Sequence, residues 1–474
     1  MNQLPNRHAS VLTILLLAGT CVAAGPRFYV APNGKDEAHR GSQRAPWRSI
    51  GYALKQIPDR GATILVADGQ YAGSQSLSRK FKNAVTVRAA RPYGSRFKSA
   101  AGDARVFSSY GGANVRFEGF VFSGSGGTRG EYLIHLGAKA HDLEFADCVI
   151  HDGFVNDMIK INDGANRIRF EGCVFYNQAS GANHFDINTV ADITLEGCLF
   201  FNDYEGSGRP YTKGSAFICA KNSSNNSPNV TRRITIRRNI FMNYQGKNDQ
   251  AFVLFGEDYK KFYEAQDVMV ENNLFLFTSK TSHIGAFQLK GKLRNITFRA
   301  NTVSGHPQGG SAYAARMWQE GGLKTDIRFQ NNIWSDPHGM SDFTDGEKEN
   351  FTAGLVLHRN LYWNAGKSIP GDKDSVFRLP KDDPKGIYAN PKLADPAGAV
   401  LPRFDYSKGR FISGSKTIQE EFERVVKAYG VPDRKVAGVA DASAMPKDDI
   451  LGRPRGSRPN IGAYQHGSGG RSSR

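Results

Sequence analysis

The sequence predicts an all-β protein built as a parallel β-helix, a solenoid of short strands stacked coil on coil. Three observations carry that expectation: a turn-rich, aromatic composition, a motif that recurs along the middle of the chain at coil-like spacing, and a two-residue alternation in the strand before each copy. At 474 residues the chain exceeds one ordinary compact core, which leaves several domains, a large barrel or a repeat array. With 52 glycines, 11% aromatic residues and little helical periodicity outside the C-terminal region, it reads as strand and turn.

The first segment, residues 1–24, places Arg7 and His8 before an apolar run from Val11 to Ala18 and a small-residue stretch ending at Ala24. That is the pattern of a secretory signal cleaved near Ala24, too short to span a bilayer. It makes the mature protein secreted or periplasmic, and no later segment reads as a membrane span. Residues 25–110 are expected to form an N-terminal cap and the first coils, with a short amphipathic helix around Ile50 to Ile57 covering the open end of the stack.

Residues 111–365 hold the repeat. Nine segments align, from FEGFVFSG (117–124) through FADCVIHD, FEGCVFYN and LEGCLFFN to LHRNLYWN (357–364). Their fourth positions are Phe120, Cys148, Cys173, Cys198, Asn239, Asn273, Asn301, Asn332 and Asn360, separated by 28, 25, 25, 41, 34, 28, 31 and 28 residues. Such a period gives one coil of about three short strands, stacked about 4.8 Å apart, so equivalent residues lie above one another. Stacked asparagines bond to one another and tolerate left-handed backbone at a turn. The three cysteines read as reduced, buried rungs of the same column, with a disulfide between stacked neighbours as the alternative. Residues 366–474 are expected as a loop-rich segment carrying the helix TIQEEFERVVKAYG and a closing GAYQ strand.

The N-terminal run FYVAPNGKDEAHRGSQRAPWRSIGYALKQIPDRGATILVADGQY, the asparagine-rich coils and the tail DDILGRPRGSRPNIGAYQ resemble secreted right-handed parallel β-helix proteins of the polysaccharide-lyase and pectate-lyase-like superfamily. The resemblance covers nearly the whole mature chain. It implies the right-handed solenoid, and within that solenoid lyases, hydrolases, C5-epimerases and non-catalytic adhesins all occur.

The strand before each motif places alternate residues outward: His135 in YLIHLG, Lys160 and Asn162 in DMIKIND, Asp186 and Asn188 in HFDINT, Cys219 and Lys221 in AFICAKN, Gln288 and Lys290 in AFQLKGK, and Arg316 in AARMWQ. Stacking predicts a polar, mainly cationic stripe on one rigid face. The long gap between Cys198 and Asn239 inserts loops beside it, with Tyr204, Arg209, Tyr211 and Lys213 placed to wall a groove. A formal net charge of +17 favours a polyanionic partner, and with an export signal and no nucleic-acid motif the partner expected is an anionic polysaccharide.

The reaction such a face serves is β-elimination of a uronic-acid polymer, in which the uronate carboxylate is neutralised and a basic group takes the C5 proton. Lys160, Lys221 and Arg316 are the expected catalytic residues, and His135, His184, Asn188, Tyr211 and Lys290 the expected substrate contacts. Several β-helix lyases carry acidic Ca²⁺ ligands beside a basic residue on this sheet, which makes Asp157, Asp163 and Asp186 the candidate oxygen ligands here, with the turn reading preferred for Asp157 and Asp163. The dense acidic cluster of calcium-dependent pectate lyases is absent from the sequence, and Asp186 is the one acid on the stripe, which disfavours hydrolysis. Asp336-Pro337-His338 is a short match to alginate C5-epimerases, in a turn and followed by Gly339. An epimerase using the same proton abstraction, and a binding protein without turnover, are the competing readings.

Overall fold

The computed structural model describes residues 25–467, apart from residues 125–131, 154, 211, 225–229, 248–249, 260, 280, 282–283, 310–311, 318–323, 347–352 and 437. The leader expected at residues 1–24, and Tyr211, lie outside the described residues. Among those residues the chain winds into three parallel sheets: a first of twelve strands, from Arg27–Val30 to Ala353–His358; a second of ten, from Gln75–Leu77 to Thr344–Gly346; and a third of twelve, from Gly69–Ala72 to Ile387–Tyr388. One coil takes a strand from each, as in Tyr132–Gly137, His141–Ala146 and Val149–His151.

Apolar side chains fill the inside in stacked files. On the first sheet Phe145 lies over Phe170 with ring centroids 4.8 Å apart, and on the third Phe200 lies over Phe241 at 4.7 Å. Those spacings match the separation of paired strands, so each file is set by strand register.

The recurring motif marks the turn from the first sheet to the third. The backbone N–H of Asn239 donates to Asn273 Oδ1 at 2.9 Å, and Asn239 Nδ2 donates both to that oxygen and to the Leu195 carbonyl. The same three bonds recur at Asn273, Asn301 and Asn332. In the cysteine coils Sγ takes the acceptor's place, with Cys173 N–H 3.4 Å from Cys198 Sγ, and the cysteines are free and buried rather than bridged. Left-handed backbone falls one residue earlier than expected, on the residue before each rung: φ is 50° at Asp147, 53° at Arg238, 52° at Ala300 and 55° at Arg359. The rung itself has to aim its side chain inward, so its predecessor makes the reversal. The last rung, Asn360, donates its N–H and Nδ2 to Asp383 Oδ2, each at 3.0 Å.

Helix α1 (Ile50–Gln56) is capped by the Ser49 hydroxyl, which accepts from Tyr52 N–H, and buries Ile50, Ala53 and Leu54 against the first coils. Helix α2 (Ile418–Tyr429) begins at Thr417, whose side chain accepts from Glu420 N–H. It lays Ile418, Phe422, Val425 and Val426 over the outer apolar row of the third sheet, including Val149, Val174, Leu199 and Ile240. The GAYQ segment is not a strand. It crosses coils along the turn between the first and third sheets, where Gly462 N–H reaches the Asn331 carbonyl and Ala463 N–H reaches Thr302 Oγ1. Among the described residues no helix is long and apolar enough to cross a membrane.

Candidate functional site

With the third sheet covered by the tail, two outer faces remain. On the first sheet, charges alternate in sign from coil to coil: Arg116 pairs with Glu144 and Glu118, Arg169 with Glu196 and Glu171, and Arg299 with Glu271. These are self-compensating surface pairs. The second sheet is the face the alternation singled out, and its register aligns Ser108, His135, Lys160, Asp186 and Cys219 in one column. Lys221 sits two residues along the strand, opposite Asn188.

Around His135 the contacts are specific. Asn162 Oδ1 lies 3.0 Å from Nε2, so that nitrogen carries the proton and Nδ1 accepts from the Tyr110 hydroxyl at 2.9 Å. Burial holds the imidazole below its ordinary pKa; the Asn162 bond opposes this, and the charges of Arg105 and Lys160 reinforce it. Tyr110 itself is 39% exposed, and Arg105 lies over its ring at 5.6 Å.

One strand further on, Lys160 bonds to Asp186 Oδ2, and Lys221 lies 3.7 Å from the same oxygen while bonding to Glu257 and standing 3.9 Å from Asp258. Burial opposes the Lys221 charge, but the acidic groups around it, Asp186 and Glu257 among them, outweigh burial and hold its pKa above the ordinary lysine value. Such a lysine is a fixed positive charge and a poor proton acceptor. Asp157 takes two hydrogen bonds from Asn183, and burial, then the Asp186 charge, push its carboxyl up to about 6. Asn188 orders the neighbouring loop, accepting from Ser223 N–H at 2.9 Å and donating to Ser223 Oγ at 2.8 Å.

Several expected residues are placed elsewhere. His184 is fully buried, stacked on Phe217 at 4.3 Å, with Nε2 toward Asn202. It precedes the strand Phe185–Asn188, where the chain is still turning and alternation does not yet apply. Asp163 falls past the end of its strand at φ 52°, a turn residue at the opposite end from Asp157. The three expected calcium ligands therefore do not converge, and among the described residues no group of three His, Cys, Asp or Glu is placed to hold a metal. Ca²⁺ takes six to eight oxygens, whereas Asp186 and Glu257 each face an ammonium, so these residues do not fit such a cage. Lys290 lies past the strand Phe287–Leu289. Arg316 keeps the column but stands five strands from Lys160, about 24 Å at 4.8 Å per strand, and pairs with Asp345 at 2.9 Å. Between them Cys219, Leu254 and Gln288 are buried, so the stripe is interrupted. In the long insertion Tyr204 is buried and Arg209 bonds to Asp152 at 2.7 Å, away from the second sheet. Asp336 is a buried turn former that accepts from His338 and Gly339 N–H.

Sequence reasoning missed Tyr110, Arg105, Glu257 and Asp258. The strands Arg105–Tyr110 and Val253–Phe255 were left unread; carrying the alternation through AFVLFGED places Leu254 on the face, with Glu257 and Asp258 just past the strand end.

No protein-family profile and no curated protein matches the sequence. Among solved structures the chain is similar to the crystal structure of pectate lyase Pel9A, at 13% identity over 94% of this chain and 98% of that one, with a TM-score of 0.52. It is also similar to the complex structure of XylC with xylose, at 12% identity over 93% of this chain and 98% of that one, with a TM-score of 0.51. The chain shares a parallel β-helix fold with these structures, a likeness of fold and not of reaction.

Proposed function

We propose that this chain is an exported enzyme that cleaves an acidic, uronic-acid-containing polysaccharide by β-elimination on the outer face of the second sheet. The observation that carries the reading is the Tyr110–His135–Asn162 chain beside Lys160. Lys160 and Lys221 face Asp186, Glu257 and Asp258, so the cation beside the Tyr110–His135 pair that is placed to neutralise a uronate carboxylate is Arg105, whose guanidinium lies over the Tyr110 ring. With its carboxylate neutralised, the sugar's C5–H bond breaks as the C4–O4 bond breaks and the C4–C5 double bond forms. Tyr110 passes its hydroxyl proton to His135 Nδ1, takes the C5 proton, and returns a proton to the leaving O4. Asn162 fixes the tautomer that lets Nδ1 accept.

The test is a panel of alginate, polygalacturonate, glycosaminoglycans and bacterial exopolysaccharides, read by the ultraviolet absorbance of unsaturated uronate. Tyr110→Phe and His135→Ala are expected to lower kcat by about a hundredfold or more. Full activity in Tyr110→Phe sinks the assignment, and an unaltered polymer across the panel sinks the enzyme reading in favour of binding alone.

Hydrolysis is the second reading, favoured by Asp157, a buried carboxyl bonded to Asn183 that burial and then the Asp186 charge push up to about 6, within reach of a general acid's range. It predicts new reducing ends without unsaturation.

A further inference from the structure

The tail that crosses the turn between the first and third sheets closes on a cleft of about 700 Å³, lined by Arg434, Arg453, Arg455, Arg458, Asn460 and His466, with no aspartate or glutamate among its described lining residues. Two of the arginines build it. Arg453 is held by Asp449 and lies 4.3 Å over the Tyr464 ring, and Arg455 donates to the carbonyls of Asp448, Asn460 and Gly462. The other two, Arg434 and Arg458, are exposed and make no hydrogen bond or ion pair with the described residues. His466 is fixed by donation from Nε2 to the Pro432 carbonyl at 2.8 Å. Asn460 is 2% exposed, with Oδ1 taken by Gln465, yet its Nδ2 has no acceptor. A cleft lined by four arginines without an acidic residue among its described lining, two of them exposed and without a hydrogen bond or ion pair to the described residues, is a site for an oxyanion, and the planar guanidinium fork suits a carboxylate or sulfate.

We propose that this cleft is a second, non-catalytic anion site that holds a carboxylate or sulfate of an acidic polysaccharide. Its neighbours Asn272 and Asn331 belong to the turn between the first and third sheets and Thr302 opens a strand of the third, so the polymer segment held here is not the one lying on the second sheet. The cleft anchors one stretch of polymer while another is processed, and the chain's excess of positive charge favours both encounters.

Calorimetric titration of the full chain at low ionic strength tests this with three probes: a uronic-acid oligosaccharide, sodium sulfate and a DNA duplex. The oligosaccharide is expected to bind at two sites per chain. Arg434→Ala/Arg458→Ala is expected to remove one site or weaken it at least fivefold, while the corresponding double lysine variant, which keeps the charge but not the fork, is weakened less. Unchanged oligosaccharide binding in the alanine variant overturns the proposal. So does sulfate binding as tightly as the oligosaccharide, or DNA bound equally and lost with the same arginines. Tyr110→Phe does not touch the cleft, so loss of turnover there with both binding events intact bears on the elimination reading alone.

Discussion

His135 and His184 occupy related places before and within the strands of one sheet, yet one lies on the outer face and the other is sealed in the core. Burial lowers the pKa of both, and the consequences differ. His135 must be neutral to accept a proton, so turnover is expected to rise with pH through its depressed pKa and to be flat at neutrality, as a kcat–pH profile will show. His184 titrates at about 3 in the folded chain. The unfolded chain binds that proton below about pH 6.5, so between the two values stability falls as pH falls, by about 1.4 kcal/mol per unit. His184→Phe, which keeps the stack on Phe217, is expected to flatten that acid limb in urea titrations; an unchanged slope would contradict the burial argument. Lys221 offers a third contrast. If its work is charge, Lys221→Arg keeps activity within about threefold, whereas a lysine base cannot be replaced by a guanidinium that does not deprotonate at this pH. Alternation placed Lys160, Asp186 and Lys221 on the face because they lie inside strands; it could not place His184, before its strand, or Asp163, the turn residue past the end of its strand, because strand ends are set by coil geometry and not by local pattern.

At the scale of the element, the ladder was legible in the sequence because one position repeats with one side-chain chemistry. Asn301→Ala leaves two buried donors of Asn273 without an acceptor and is expected to cost about 3 kcal/mol in chemical unfolding. Asn301→Cys is expected to cost less, since Cys198 already accepts from the rung below it. The left-handed residue before each rung was legible where it is Gly119, Gly172, Gly197, Asn272 or Asn331, types that favour that conformation, and not where it is Arg238, Ala300 or Arg359. Ala300 at φ 52° bears the steric cost of that conformation, so Ala300→Gly is expected to be neutral or to raise Tm slightly, the reverse of the usual effect of glycine in a strand-rich protein.

At the scale of the molecule, three outer faces have three fates: the first sheet pairs its own charges, the third is covered by α2 and the tail, and the second is left open to solvent chemistry. The solenoid could be read from repeat spacing, but which face the tail would cover could not. That choice depends on the outer row Val121, Val149, Val174, Leu199, Ile240 and Leu274, which alternation alone cannot distinguish from core. Removing residues from 399 onward bares this row, and the truncated chain is expected to bind a hydrophobic dye or precipitate; a soluble, dye-silent truncation would show that the cover is dispensable.

Asp383 has the widest consequence. Every asparagine rung both receives and gives, so the column has a direction, and any number of coils could be spliced into it without altering its chemistry. A carboxylate only receives. Where it takes the last donors of Asn360, the column has nothing left to give, and the length of the asparagine ladder is thereby written in a single residue that acts as its stop sign.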